Sequence, residues 1–244
     1  MSKIFRAPFI LLAFSFSLVK VYAQSRTTAY EFTVRTRFHS LTYFPYSGAF
    51  LAKNFNFDVN VNFEVKSYGV FLFRSTDLED SKSIANYLQP GVYKNFAITP
   101  NLKVGPYAGY VFSQTGVFKD ADSDFWSAII ATWTPVPRVT IENTLIAFNL
   151  SAHTSAVNRL FVNYQVNGFR FDVFLWERVS WEPRNYSTSM SVGVNFPLVK
   201  LGEHFSIQNS ISYQSYLTRN KPDFAMKQGV LFSVIVPFTR KRDF

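Results

Sequence analysis

The feature that most constrains this chain is a twelve-residue stretch in which apolar and polar side chains alternate without a break. It runs from Phe55 to Lys66 and reads FNFDVNVNFEVK. Successive side chains of a β-strand point to opposite faces, so a strand here has one apolar face and one polar face. Strands are usually about 5–6 residues long, whereas a tilted strand crosses a bilayer in roughly 9–11 residues. The stretch therefore fits either a long strand on a protein core or a strand that faces lipid.

The N-terminal residues have the pattern of a secretory signal peptide. Lys3 and Arg6 precede an apolar run over residues 9–19, and the sequence VYA that ends at Ala23 matches a small-residue cleavage site. The apolar run is shorter than the roughly 20 residues that a spanning helix needs, which disfavours an uncleaved anchor. We predict a signal peptide over residues 1–23, cleavage near Ala23, and a single domain over residues 24–244.

Strand-like alternation recurs through the rest of the chain, whereas helical periodicity is nearly absent. The later apolar runs are all interrupted too soon for a transmembrane helix. The predicted strands cover residues 30–39, 55–65, 68–75, 91–98, 102–114, 125–134, 139–150, 158–166, 169–181, 188–196, 204–216 and 226–238.

The lengths of the connections alternate. Short connections include Lys66-Ser67, residues 99–101, residues 135–137 and Asn167-Gly168, and Asn-Gly is the strongest tight-hairpin signal. Longer connections cover residues 40–54, 76–90, 115–124, 182–187 and 217–225. This alternation predicts an all-β fold: an up-and-down antiparallel transmembrane barrel of about 12 strands, with short periplasmic turns and longer extracellular loops.

A soluble β-sandwich would also show alternating faces, so the content of the faces matters. The polar faces are rich in Asn, Gln, Ser and Arg, and aromatic residues make up 18% of the chain. Phe125 and Trp133 share a face and would lie about 20 Å apart along the membrane normal, as two aromatic girdles require. These features favour the membrane barrel and an outer-membrane location.

The last predicted strand contains KQGVLFSV, residues 227–234. This resembles the terminal β-signal of Gram-negative outer-membrane proteins, with Lys227, Gly229, Phe232 and Val234 at the pattern positions. The chain also ends in Phe244, although TRKRD separates the strand from it. The resemblance implies insertion by the barrel-assembly machinery and outer-membrane lipid as a partner.

The polar faces of the predicted barrel carry many charged residues. If these faces point inward, arginines and lysines, with Arg74, Lys94 and Lys227 among them, outnumber the acids, which would favour anionic solutes. Twelve strands leave only a modest interior, so paired charges could instead plug it. The predicted pore-lining residues are Glu31, Arg35, Arg37, Asp58, Glu64, Arg159, Arg170, Asp172 and Arg178.

One short stretch, AHTSAVNRL, offers a catalytic alternative. His153 and Ser155 match the His-x-Ser spacing of the twelve-stranded outer-membrane phospholipase family, in which the His would activate the Ser and an Asn would orient the imidazole. Asn158 follows too closely for that family's pattern, and a solvated hairpin explains the stretch better. The histidines are scattered, and no Walker or Rossmann motif occurs, so we expect no metal and no cofactor.

These observations leave three hypotheses for function. The leading one is a porin-like channel for small, preferably anionic, solutes; the others are a structural or adhesive protein with a plugged lumen and a lipid hydrolase. The formal net charge is +9, but the basic residues are dispersed and no recognition motif occurs. We therefore expect no nucleic-acid partner.

Overall fold

The structure is a computed structural model, and it describes residues 30–44, 49–83, 85–113, 123–151, 154–180, 185–201, 205–220 and 228–242. The predicted signal peptide lies outside these ranges. In the part of the chain that the structure describes, no helix is long and apolar enough to cross a bilayer.

The described chain is built from β-strands that follow one another in sequence. They are β1 (Tyr30–His39), β2 (Thr42–Phe44), β3 (Ala49–Ala52), β4 (Asn56–Val65), β5 (Tyr68–Asp77), β6 (Tyr87–Lys94), β7 (Phe96–Thr99), β8 (Leu102–Ser113), β9 (Asp124–Val136), β10 (Val139–Phe148), β11 (Ser155–Val166), β12 (Phe169–Ser180), β13 (Asn185–Asn195), β14 (Val199–Lys200), β15 (Ser206–Arg219) and β16 (Gln228–Arg242).

Twelve of these strands form one closed antiparallel barrel with up-and-down topology, which confirms the predicted fold. The ring is closed because β1 pairs with β16 as well as with β4: Tyr30 lies opposite Arg242 on one side and opposite Val65 on the other. The remaining strands β2, β3, β7 and β14 are short and flank the ring. Closure gives every strand of the ring two neighbours, so the ring has no edge strand, as a membrane span requires.

Two tight turns show why the predicted hairpins form where they do. Asn167 and Gly168 have φ values of 50° and 82°, and Lys66 and Ser67 have φ values of 48° and 73°. Positive φ at both central positions is the geometry of the two-residue turns that match the twist of paired strands. Asn and Gly adopt this geometry readily, whereas Lys66 and Ser67 adopt it against their intrinsic preference.

The outer face of the barrel is strongly apolar. Phe63, Val70, Ile129, Val173 and Phe232 are all exposed, although each is large and apolar, and many other outward residues share this property. A continuous exposed apolar surface of this extent is unfavourable in water, so the outer face requires lipid.

Aromatic residues lie toward both margins of this apolar surface. Phe125 and Trp133 are 59% and 48% exposed and point to the same outer side of β9. Their separation along the strand fits the two aromatic girdles of a membrane barrel.

The structure differs from the predicted strands mainly at β6. This strand begins at Tyr87 rather than at Gly91, because Pro90 and Gly91 lie inside the strand and not in the preceding loop. The pairing between β6 and β8 runs through Leu88 with Phe112 and resumes at Gly91 with Gly109. Proline cannot donate to the ladder, which accounts for the interruption. A small β2–β3 hairpin within the predicted loop over residues 40–54 was also not predicted.

Candidate functional site: the barrel lumen

Alternation along each strand assigns every side chain to the lumen or to the outer face. All nine predicted pore-lining residues lie on the inner face. On β1, for example, Arg37 and His39 point inward while Phe38 is 48% exposed on the outside. The nine are Glu31, Arg35, Arg37, Asp58, Glu64, Arg159, Arg170, Asp172 and Arg178.

Most of these charges are paired with charges on the same wall. The Arg37 Nε atom lies 2.7 Å from Asp58 Oδ1, and the Arg170 Nε atom lies 3.0 Å from Asp172 Oδ1. The Lys241 Nζ atom lies 2.8 Å from Glu31 Oε2. Pairing of this kind neutralises the arginines, so their number alone does not make the lumen anion-selective.

Some of the expected excess of basic residues lies outside the lumen. Arg74 and Lys94 are outward-facing, since they alternate with the inward residues Phe73, Ser75 and Tyr93. The Lys94 Nζ atom donates to the Tyr68 hydroxyl at 2.6 Å on the outer surface. Lys227 lies outside the described residues. The prediction that Arg74 and Lys94 line the lumen was therefore wrong.

Arg35 differs from Arg37, Arg159 and Arg170, which all form ion pairs. Its side chain is exposed to the lumen, and no ion pair involves it among the residues that the structure describes. It lies close enough to interact electrostatically with Arg37 and Asp58 on one side and with Arg170 and Asp172 on the other. Arg35 is thus a guanidinium that a solute in the lumen can reach.

One half of the inner wall is aromatic. Tyr93 and Tyr107 stack with their ring centroids 4.7 Å apart, and Phe71 lies 5.8 Å from Trp126. The surface continues around the wall to Phe174 and Trp176, whose stacked rings are 5.0 Å apart. A buried cluster supports it from β9 to β12, formed by Trp126, Ala128, Ile146, Val157 and Trp176. We call this surface the aromatic half.

Sequence reasoning missed the aromatic half. In β5 the sequence VFLF places Leu72 outside and Phe71 and Phe73 inside, so both faces of that strand are apolar. Without a polar face the alternation signal disappears. Inward glycines such as Gly69 and Gly91 are the sequence feature that could have indicated the aromatic half. The rings of Tyr93 and Phe71 occupy the space that side chains at these two positions would fill.

The facing half of the wall is polar and contains a buried cluster at the junction of the first and last strands. The His39 Nε2 atom lies 2.9 Å from Asp58 Oδ2, and His39 Nδ1 lies 2.6 Å from Ser233 Oγ. Arg37 contacts the second oxygen of the same carboxylate. We call Arg37, His39, Asp58 and Ser233 the seam cluster, because they join β16, β1 and β4.

The seam cluster contains the residue types of a hydrolytic triad but not its arrangement. In serine hydrolases of the chymotrypsin type, Nε2 faces the serine and Nδ1 donates to the aspartate, whereas His39 has the two nitrogens reversed. His39, Asp58 and Ser233 are also buried, so a substrate does not reach the hydroxyl in this arrangement. We therefore assign the cluster a structural role.

Side chains close the lumen near its long-loop end. In that half of the barrel every ring strand except β8 contributes a buried inward side chain, and Val111 of β8 is half-buried. Even serines are buried there, because larger neighbours cover them. We call this set the packed layer: His39, Asn56, Ser75, Gln89, Trp126, Ile146, Val157, Trp176, Ser189, Gln214 and Leu231.

The lumen is more open near its short-turn end. Arg35, Lys103 and Gln165 are exposed there, and we call the space beside them the vestibule. Part of its wall is fixed by Asp172, which accepts a hydrogen bond from the Asn195 amide at 2.6 Å. With short turns on the periplasmic side, the vestibule opens toward the periplasm.

Two long loops are tied together above the packed layer. The carboxylate of Asp77 accepts hydrogen bonds from the Thr42 hydroxyl at 3.1 Å and the Asn54 amide at 3.2 Å. It also accepts from the backbone N–H groups of Glu79 and Asp80, at 3.0 and 2.9 Å. Asp77 therefore joins Thr42 and Asn54 of the first loop to Glu79 and Asp80 of the second.

The structure does not assemble the predicted catalytic alternative. Ser155 is a buried inward residue, whereas Asn158 points outward and bonds Asn143 and Glu177 on the lipid-facing side. Side chains on opposite faces of β11 cannot share one active site, so the pairing of Ser155 with Asn158 was wrong. His153 lies outside the described residues. In the described ranges no group of three or more His, Cys, Asp or Glu side chains could hold a metal ion.

The predicted assembly signal falls on β16, the strand that closes the barrel. Phe232 and Val234 point outward and are exposed, and Gly229 lies opposite Gln214 of β15. Lys227 and Phe244 lie outside the described residues. Recognition of these residues by the assembly machinery stays a prediction.

Comparisons with known proteins find similarity at the level of the fold. No protein-family model matches the sequence. No curated protein matches it either. Among solved structures, an outer-membrane channel from Pseudomonas putida F1 is similar with a TM-score of 0.50 and 9% identity, over 91% of this chain and 98% of that chain.

Two further solved structures are more distant in shape. The outer-membrane channel DcaP of Acinetobacter baumannii gives a TM-score of 0.40 at 9% identity, over 89% of this chain and 99% of that chain. A porin gives 0.40 at 12% identity over 76% of this chain, which spans only 62% of that porin's length. At 9% identity, the similarity to the Pseudomonas putida channel shows a shared fold alone. The closed ring and its apolar outer face define the class: this chain is a transmembrane β-barrel protein.

Proposed function

We propose that this protein is an outer-membrane channel for small amphipathic organic solutes, with a preference for those that carry a negative charge. The observation that carries the proposal is the division of the lumen into an aromatic half and a polar half, with the exposed guanidinium of Arg35 near the vestibule. The channel architecture of the similar solved structure supports the same class of function.

The two halves of the lumen suit the two ends of an amphipathic molecule. An apolar ring or chain gains contact area on the aromatic surface formed by Tyr93, Tyr107 and Phe174. A carboxylate or sulfonate on the same molecule can accept hydrogen bonds from Arg35, whose planar fork matches such anions. Pores built from paired charges alone would offer no such selectivity.

The packed layer bears on how a solute passes. The inward side chains near the long-loop end exclude water in this structure, and Asp77 fixes the loops above them. Axial passage therefore requires the packed layer to open. We expect small single-channel currents, with larger currents when the loops are released.

Planar-bilayer recording of the refolded protein tests the proposal. With potassium chloride on one side and potassium benzoate on the other, a channel of this kind gives a measurable current and a reversal potential that reports benzoate permeation. Heat-modifiable mobility on electrophoresis serves as the control for folding. Folded protein that carries no current and no benzoate would overturn the proposal.

The packed layer also favours a second candidate, a structural or surface-binding barrel with a plugged lumen. In that case the loops that Asp77 orders would be the working surface. The same recording separates the two candidates, because a plugged barrel carries no current in any of the salts.

A further inference from the structure

The outer face of the barrel carries a shallow, open groove beside Pro90 and Gly91 of β6. The groove has a volume of about 890 Å³, is open on its outer side, and is lined by residues of β5, β6, β8 and β9 and of the loop that follows β10. Its floor is formed by the small residues Gly91, Ala108, Gly109 and Ser127. Pockets that bind small organic ligands typically enclose about 300–1,000 Å³, so the groove has a suitable size.

The groove lies within the lipid-facing surface and just below one aromatic girdle. Tyr110 and Phe125 line it on the long-loop side, with ring centroids 4.9 Å apart, and Val70 and Val92 line it on the other side. Its surroundings are hydrocarbon, and its upper margin is at the membrane interface, where amphipathic molecules concentrate.

The wall beneath the groove is thin. Gly91 lies opposite Gly109, and the neighbouring residues Gln89 and Pro90 pair with β5 but not with β8. Pro90 has no N–H to offer, and neither glycine has a side chain to thicken the wall. Over this short distance the hydrogen-bond ladder between β6 and β8 is incomplete.

The groove and the aromatic half of the lumen share residues across this thin wall. Phe71 and Trp126 line the groove and also belong to the inner aromatic surface. A Cβ atom at Gly91 would collide with the Phe71 ring, and one at Gly109 would lie 2.8 Å from Trp126 Nε1. These two rings therefore cover the glycines from the inside.

Two polar groups on the lumen side of this wall have no hydrogen-bond partner among the described residues. Gln89 is fully buried, yet neither its Nε2 nor its Oε1 atom forms a hydrogen bond in that part of the chain. The Trp126 Nε1 atom is also buried and forms no hydrogen bond within the described residues. Buried polar groups of this kind are costly unless something bonds to them, and a ligand with one polar group would do so.

We propose that the groove is a lateral entrance, through which small amphipathic molecules pass from the outer leaflet into the aromatic half of the lumen. The apolar body of the molecule first occupies the groove, and once the molecule has passed between β6 and β8 its polar group bonds to Gln89 and to the Trp126 N–H inside the lumen. The inference rests on the proposed channel function. Because Gln89 and Trp126 belong to the packed layer, this route enters the lumen at the level of that layer.

Filling the groove tests the lateral entrance. The probe is 8-anilinonaphthalene-1-sulfonate, which partitions into the outer leaflet of a vesicle and crosses a bare bilayer slowly. Proteoliposomes with the wild-type protein should show faster entry of the probe into the vesicle lumen than protein-free vesicles. Ala108→Trp fills the floor of the groove and should return entry to the protein-free rate. Ala131→Trp, at an outward residue of β9 away from the groove, is the matched control and should keep the wild-type rate.

The outcomes separate this inference from the proposed function. Wild-type rates in Ala108→Trp, or an equal loss in Ala131→Trp, would overturn the lateral entrance. Wild-type protein that carries ion current but does not speed entry of the probe would also overturn it and leave the channel intact. Absence of any current would refute the proposed function itself.

A reversible disulfide cross-link provides a second test if Ala108→Trp does not fold. The chain has no cysteine, so a Pro90→Cys and Tyr110→Cys pair introduces one possible cross-link across the interruption. Oxidation should stop entry of the probe, and reduction should restore it. A Val61→Cys and Leu72→Cys pair on β4 and β5 is the control cross-link. If oxidation of the first pair left the rate of probe entry unchanged, the result would contradict the proposal.

Discussion

The Nδ1 atom of His39 lies 2.6 Å from the Oγ atom of Ser233, so a buried hydrogen bond spans the junction between the first and the last strand of the barrel. The two residues are 194 positions apart. The other ring nitrogen of His39 bonds to Asp58, which also forms an ion pair with Arg37. The junction is thus held by side chains as well as by the strand ladder.

The first prediction concerns this seam cluster. Asp58→Asn removes the charge that Arg37 and His39 share, and loss of one partner of a buried ion pair costs about 3–5 kcal/mol. We expect a lower urea midpoint for unfolding in lipid vesicles. Asn62→Ala, at a half-buried inward position of the same strand, is the control and should change the midpoint little. An unchanged midpoint in Asp58→Asn would show that the cluster does not stabilise the closed barrel.

The second prediction concerns anion preference. Arg35→Gln removes the exposed guanidinium in the lumen, so the reversal potential in a chloride gradient should shift toward that of a non-selective channel. Arg240→Gln removes one charge from the outer face of β16 and should leave the reversal potential unchanged. Equal shifts in both variants would contradict a specific role for Arg35.

The third prediction concerns the loops at the mouth. Asp77→Ala removes the acceptor that holds Thr42, Asn54 and the turn at Glu79. We expect larger single-channel currents and faster proteolysis of residues 40–54, because both loops lose a shared anchor. Lys82→Ala, at an exposed position of the second loop, should behave as wild type. Currents of wild-type size in Asp77→Ala would argue that the loops do not limit passage.

The fourth prediction tests the two faces of the wall. Trp133 is 48% exposed on the outside, whereas Trp126 and Trp176 are 5% and 4% exposed on the inside. In variants that keep one of these tryptophans, lipids with brominated acyl chains should quench Trp133 strongly and the other two weakly. Strong quenching of Trp176 would mean that the faces of β12 are reversed.

The fifth prediction compares two turns of the same geometry. Ser67 and Gly168 occupy left-handed φ values of 73° and 82°. Ser67→Gly should stabilise the barrel by about 0.5–1 kcal/mol, and Gly168→Ser should destabilise it by a similar amount, because a Cβ atom is unfavourable at such φ values. Urea midpoints of the two variants provide the measurement. Shifts of the same sign would exclude this explanation.

Much of the fold could be predicted because strand faces are a local property. Apolar and polar side chains alternate so regularly in β1 and β4 that inward residues such as Glu31 and Asp58 are evident in the sequence. The β6 boundary could not be predicted in the same way. Pro90 and Gly91 are ordinary loop signals, and only the neighbouring strands reveal that they lie within the wall.

The sequence by itself determined the number of strands in the ring, the alternation of short and long connections, and the face on which most charged residues lie. These follow from the two-residue period of a strand and from turn chemistry, which act over a few neighbouring residues. Only the tertiary structure decided which inward side chains meet. Pairing of His39 with Ser233, contact of Phe71 with Trp126, and burial of the packed layer depend on barrel closure and strand register. Contacts between strands far apart in the chain leave no periodic trace in it, and that is why they could not be predicted.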